Sequence, residues 1–449
     1  MRRDSGAISG GLWGLLIALS VAPHVVFAAN DAPPMPFDAK SLHLGVATCA
    51  GSNCHGSARP FADSPVLQNE YFVWQRDDPH SNAFKVLQGE VGQRIARNLG
   101  LSDATTAPEC LTCHTDHVPS DVRGRRHAMS EGVGCEACHG GAQDWLGPHV
   151  SGNSHAQNLQ AGLYPLEDPV ARTRLCLQCH LGSANKPIDH RLMGAGHPAL
   201  DFELDTFTNI QPAHFRVDAD YLKRKPAHVS GARQWAIGQL VAAQMFLEGL
   251  DSARFADHKG MFPELVFFEC SACHHALRPA RWSAGTAGPL GPGEPRLADA
   301  YLVVTQVVLD VLAPTFGTQW TAALASLHKA SRESVPQTRE AAVQLRAIAR
   351  SALPQLRDKP LTKPDALNLA KRLATLGAEQ RAGDYTGSKQ IFYGLESLLA
   401  NLRNEHGVAR TALRPEMDVL FKTLDTPASY DAEAARSAMR KIGEEVGKL

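Results

Sequence analysis

Ten cysteines constrain this chain more than any other feature, because all ten fall into five close pairs and a histidine directly follows each pair. Four pairs enclose two residues: Cys110, Cys113 and His114; Cys135, Cys138 and His139; Cys176, Cys179 and His180; Cys270, Cys273 and His274. The fifth is stretched, with Ala50, Gly51, Ser52 and Asn53 between Cys49 and Cys54, then His55. Gly, Ser and Asn suit a loop that bulges to keep both sulfurs within span. Histidine fills 20 of 449 positions, so five such placements by chance have a probability of roughly 10⁻⁷. A tetrahedral zinc site uses cysteine and histidine but needs no histidine directly after the second cysteine. A disulfide framework has no use for one either.

The pattern is the attachment signal for c-type haem: two thioethers to the porphyrin edge, then a histidine that ligates the iron from the proximal side. The expectation is about five covalent haem c groups. His114 and His139 are only 25 residues apart, so their two cofactors must lie close, with no protein layer between them. Residues 49–274 would carry one haem per roughly 45 residues, too dense for an ordinary apolar core.

The chain divides accordingly. Residues 1–28 read as a secretory signal, with Arg2 and Arg3 first, an apolar run, and Val26-Phe27-Ala28 at the cleavage end. That implies a periplasmic protein, with membrane contact only if the segment stays uncleaved. Its removal takes two arginines and one aspartate, so the net charge passes from −1 to −2. No long basic run points to nucleic acid. Residues 29–277 form the expected pentahaem region. Within it, residues 65–100 are predicted helical around an interruption at Asp78-Pro79-His80, and 140–230 is loop-like. Ser230 is placed to cap a helix running to about Leu250 that carries Trp235, Leu240, Val241, Met245 and Phe246. A Pro/Gly-rich linker at 278–296 precedes a cysteine-free helical bundle over 297–449. In that bundle Ser334 and Thr362 head capping signals and Pro427 is placed to open the last helix. The fold class is therefore mainly α: a multihaem cytochrome c domain with loops wrapped around stacked haems, plus a C-terminal helical bundle. The bundle either only covers the haem region or serves to dock a partner or a second copy, making a homo-oligomer.

An electron-transfer haem usually has a second axial ligand. Eleven further histidines lie between 80 and 275. Context favours five as metal ligands: His80 beside an aromatic helix, His149 ten residues past His139, His197 among Gly194, Ala195 and Gly196, His228 at a helix start, and His127 between the closest haems. Met129, Met193 and Met245 are alternatives. Arg123, Arg125, Arg126 and Arg224 are candidates to pair with haem propionates.

The string Gly132-Val133-Gly134-Cys135-Glu136-Ala137-Cys138-His139-Gly140, with a C-x-x-C-H unit 25 residues earlier, resembles the cytochrome c-554 family. Trp74 ahead of His80-Ser81-Asn82-Ala83, His149, and the Cys176–His180 motif extend the likeness over about residues 45–200. The resemblance implies a tetrahaem electron carrier serving hydroxylamine oxidoreductase. It also implies stacked haem pairs with close edges, and His80 and His149 as distal ligands. In the family one haem can lack a distal ligand; by position that is the His114 haem, unless His127 fills the gap. The stretched first motif, the fifth motif and the helical C-terminal part depart from the pattern.

Two functions follow. One is an electron conduit between unidentified redox partner proteins, with no catalytic residue. The other is an enzyme acting on nitrogen or sulfur oxyanions, hydroxylamine or nitric oxide at a five-coordinate haem. The related nitrite reductases use a C-x-x-C-K haem, which this sequence lacks.

Overall fold

Helix follows from the text wherever apolar residues recur at helical spacing, and the computed structural model is helical almost throughout. It describes residues 33–449, apart from 63, 65, 230, 257–262, 275–293, 383–384, 410–412 and 428. The N-terminal signal, the Ser230 cap, His258, His275 and most of the 278–296 linker lie outside the described residues. Among the described residues extended pairing is limited to two isolated bridges, His43 with Arg123 and Phe268 with Leu297.

In the N-terminal half the helices are short. α1 spans Glu70–Asp77, and Asp78 then caps a 3₁₀ turn at Pro79–Asn82 by accepting the His80 amide, so the predicted interruption is a built turn. α2 (Pro108–His114), α3 (Cys135–His139) and α4 (Pro169–His180) each end on a motif histidine. α5 (His190–Gly194) and α6 (Leu204–Ile210) follow, capped by Asp189 and Glu203. The region 140–230, expected as loop, therefore holds several helices. α4 carries no single apolar stripe to mark it in the sequence, because it buries Ala171, Thr173, Leu175 and Leu177 on several faces. Apart from Leu177 and the Phe202/Leu204 stretch, which join the large core described below, this half has only small apolar clusters, such as Leu87, Ala96, Ala104 and Leu111. That is what is expected where cofactors supply part of the interior.

The second half is built around α7 (Gly231–Asp251), whose Trp235, Ile237, Leu240, Val241, Leu247 and Leu250 are all buried. It is surrounded by α4, α6, α8 (Ala300–Leu312), α10 (Val335–Asp358) and α12 (Tyr385–His406). Gly394 of α12 lets Trp235 approach: a Cβ there would stand 2.8 Å from the indole. α9 (Pro314–Glu333) packs on α8 and α10, α11 (Lys363–Ala378) on α12, and α13 (Arg414–Thr423) with α14 (Ala432–Val446) closes the layer.

One apolar core runs from Leu177, Phe202 and Leu204 through α7 to α14, so the bundle's core takes in residues well before 296, and residues 33–449 form one unit. Thr362 makes a reciprocal capping box with Asp365, whereas Ser334 caps Gln337 one way only. α14 opens at Ala432 behind an Asp431 cap, four residues beyond Pro427.

Candidate metal centres

A helical turn places cysteines three apart on one face and swings the next histidine beyond them. In the fifth motif the His274 amide donates to the Cys270 carbonyl at 2.7 Å, closing that turn. The stretched motif reproduces the same closure. The His55 amide donates to the Cys49 carbonyl at 3.2 Å, while Gly51–Asn53 is extruded as a turn in which Gly51 accepts from Cys54 at 2.9 Å. Two extra residues thus leave cysteine and histidine in ordinary relation.

The Gly-Val-Gly string ahead of Cys135 is fixed by close packing. Gly132 has φ +75°, and a Cβ on it would meet the His80 carbonyl at 2.7 Å. Val133 donates to that carbonyl at 3.0 Å and accepts from the Trp74 indole at 3.0 Å. Glu136, inside the third motif, is buried and accepts from the amides of Leu44, Gly45 and Ala142 at 2.6–2.7 Å.

Each of the five motif histidines faces a second histidine. Ring centroids are 6.1 Å apart for His55 and His149, 6.3 Å for His180 and His80, 6.4 Å for His114 and His197, 6.3 Å for His139 and His214, and 6.0 Å for His274 and His190. Two metal–nitrogen bonds of about 2 Å plus the half-widths of two imidazole rings account for such a gap, so one iron fits between each pair. Separation alone does not define a site: His43 and His127 are 6.4 Å apart but share Asp116 and have no cysteine pair.

Hydrogen bonds at the far side of the rings support the assignment. The Nδ1 atoms of His55, His80, His114 and His197 pair with Glu70 (3.0 Å), Asp78 (2.8 Å), the Ala83 carbonyl (2.8 Å) and the Pro198 carbonyl (2.9 Å). A donating Nδ1 leaves Nε2 as the lone-pair ligand and fixes the ring plane. Burial, followed by neighbouring positive charge, holds the His139 imidazole down at about 3 and His180 at about 4; burial likewise lowers His114 and His214. Neutral imidazole is the ligating form. Burial pushes the Asp78 carboxyl up, but the His80 and Gln211 hydrogen bonds outweigh it and hold it at about 2.

Of the five further histidines expected as ligands, His80, His149 and His197 face motif histidines. His127 and His228 do not. His127 Nε2 is 2.9 Å from the Asp116 carbonyl and 3.6 Å from its carboxylate, which draws the ring away from the His114 site. His228 packs edge-on to Tyr221 at 5.3 Å and lies near Arg172 and Lys225. In their place stand His214 and His190. His190 sits on the first turn of a helix capped by Asp189, a local signal that was readable; His214 follows Pro212-Ala213 with no such mark. Met245 is buried in the apolar core and Met129 packs on the Leu87 cluster. Of the arginines proposed for propionates, Arg224 pairs with Asp220 and Arg123 donates to the Val118 carbonyl.

The sites adjoin. The Cys49 and Cys135 thiols are near enough to perturb one another's ionisation, as are those of Cys113 and Cys179, while Cys138 lies within the electrostatic reach of Cys176 and Cys179. Proximity therefore runs from the His55 site to the His139, His180 and His114 sites in that order. The seven-residue step from His190 to His197 ties the fifth site to the His114 site. All ten cysteines are free of disulfides, and among the described residues no cluster of three or more His, Cys, Asp or Glu converges as zinc requires.

Cysteine pairs that present their sulfurs beside a ligand histidine, in a mainly helical chain, define a c-type cytochrome with covalently bound haem c. Residues 48–140, which hold the first three motifs, match the family described as cytochrome c554 and c-prime. No curated protein and no solved structure gives a match.

Proposed function

We propose that the chain is an exported, periplasmic multihaem cytochrome that carries five covalent haems and passes single electrons along them between redox partner proteins. The observation that carries this reading is the second histidine opposite every motif histidine. Two protein ligands on each iron leave no position for a substrate, which favours electron transfer over chemistry at an open haem. The adjoining thiols support a continuous path.

When bound, the haems supply the one-electron chemistry; the chain supplies everything else. The cysteines would hold the porphyrin edges and the paired histidines would ligate the iron, while Asp78, Glu70 and a peptide carbonyl orient the rings. Half-buried Arg172 and Lys225, with both ring nitrogens of His228 unpartnered beside them, form a cationic group suited to propionates. Export rests on the signal-like residues 1–28. Among the described residues no helix is long and apolar enough to cross a membrane. The family resemblance suggests a donor of the hydroxylamine oxidoreductase kind.

The test is a reductive titration of the haem-matured protein with and without carbon monoxide. Five electrons per chain and no carbon monoxide shift are expected. A shifted band in the unaltered protein, or turnover of nitrite or hydroxylamine, would replace electron transfer by catalysis.

A further inference from the structure

We propose that Asp78 and Glu70 are positioning residues that hold the His180/His80 and His55/His149 sites at lower reduction potential than the His114/His197 and His139/His214 sites. The inference rests on the multihaem reading above and concerns what differs among its sites.

The difference lies in what each ligand histidine donates to. His80 Nδ1 is 2.8 Å from Asp78 Oδ1, and His55 Nδ1 is 3.0 Å from Glu70 Oε2. His114 and His197 instead donate to the carbonyls of Ala83 and Pro198, and among the described residues no carboxylate is hydrogen-bonded to His139 or His214; Asp78 and Glu70 reach His214 only through space. A carboxylate draws the Nδ1 proton toward itself and makes the far nitrogen a stronger donor, whereas a neutral carbonyl does so weakly. A stronger donor, with a fixed negative charge close by, favours the ferric over the ferrous iron.

Both carboxylates are held in place. Asp78 is only 2% exposed; its Oδ1 also accepts from the His80 amide at 3.0 Å, and its Oδ2 from Gln211 at 2.9 Å. The second oxygen of Glu70 accepts from the Gln68 amide at 3.1 Å. A capping aspartate and a helix-opening glutamate would be the local reading of these residues, yet each turns an oxygen onto a ligand ring. Along the run of adjoining sites, the His55 and His180 sites alternate with the His139 and His114 sites. Low and higher potentials then alternate, and an electron in transit rests on the sites whose ligands bond no carboxylate.

The experiment is a spectroelectrochemical titration of the full haem-loaded chain with Asp78→Asn and, separately, Glu70→Gln. Each change keeps shape and removes charge. Each is expected to raise one component by about a tenfold change in its oxidised-to-reduced ratio, which is about 59 mV for one electron. Haem content and low-spin absorbance should stay unchanged, and the ferric resonance signal of one haem should move. Unshifted components in fully loaded variants overturn the proposal, as does a uniform shift of all five. If one variant loses its haem, the other decides alone. If both do, the carboxylates serve haem capture and the proposal fails. Parent protein without haem would instead refute the multihaem reading itself.

Discussion

Replacing His197 by alanine should open a single iron. Its ring stands 6.4 Å from His114, and its Nδ1 bonds the neighbouring Pro198 carbonyl at 2.9 Å within a partly exposed loop. Little packing is lost, so the cost to stability should be about 0.5 kcal/mol or less, as for a surface substitution. The cost to ligation is total at that site. One of five irons becomes five-coordinate, so about one fifth of the reduced haem absorbance should shift with carbon monoxide, against none in the parent. The assay is a reduced-minus-reduced-plus-carbon-monoxide difference spectrum normalised to haem content. Added imidazole should close the site and abolish the shift. His127→Ala and His228→Ala serve as comparisons and should bind none, because neither ring faces a motif histidine. A fully loaded His197→Ala protein that ignores carbon monoxide would refute the pairing, as would a His127→Ala protein that binds it.

Trp320 is fully buried and its indole donates to the Leu302 carbonyl at 3.0 Å, so Trp320→Ala should cost about 3–5 kcal/mol by denaturant unfolding while the haem spectrum persists. Asp299, also fully buried, accepts from Arg296 at 2.9 Å and His328 at 2.7 Å; burial pushes its carboxyl up, but these partners outweigh it and hold it below the ordinary range. A depressed folded value means this stabilisation is complete above roughly pH 4 and fades as pH falls through the folded value. Asp299→Asn should therefore flatten the acid limb of an unfolding-versus-pH profile, and an unchanged limb would contradict the assignment. Replacing both Cys49 and Cys54 by alanine should lower the haem count from five to four, while Cys54→Ala alone should leave it at five through the remaining thioether; intact mass distinguishes these outcomes.

The proximal half of every site was legible because attachment is local: two sulfurs and a histidine sit within one turn, and spacing alone specifies them. Even the stretched motif could be read, since Gly51–Asn53 marks the extruded residues. The distal half is a matter of tertiary contact. His149 meets His55 across 94 positions and His139 meets His214 across 75, distances at which no periodicity speaks. His127 is close in sequence to two motifs, but the Asp116 carbonyl holds its ring while the buried Asp116 carboxylate takes His43. The helical bundle was visible from its apolar repeats. That α7 belongs to its core was not, because a helix buried on nearly every side shows no face, and the side chain of its polar Gln239 donates only to Gln390, far along the chain.

Electron transfer along this chain requires five irons, each covalently anchored and closed by two histidines. Intact mass under denaturing conditions, on chain produced in a host that matures c-type cytochromes, tests it most directly. The mass should exceed that of the polypeptide by five haem groups. A colourless protein, or one bearing zinc or only the haems of the first three motifs, would contradict it.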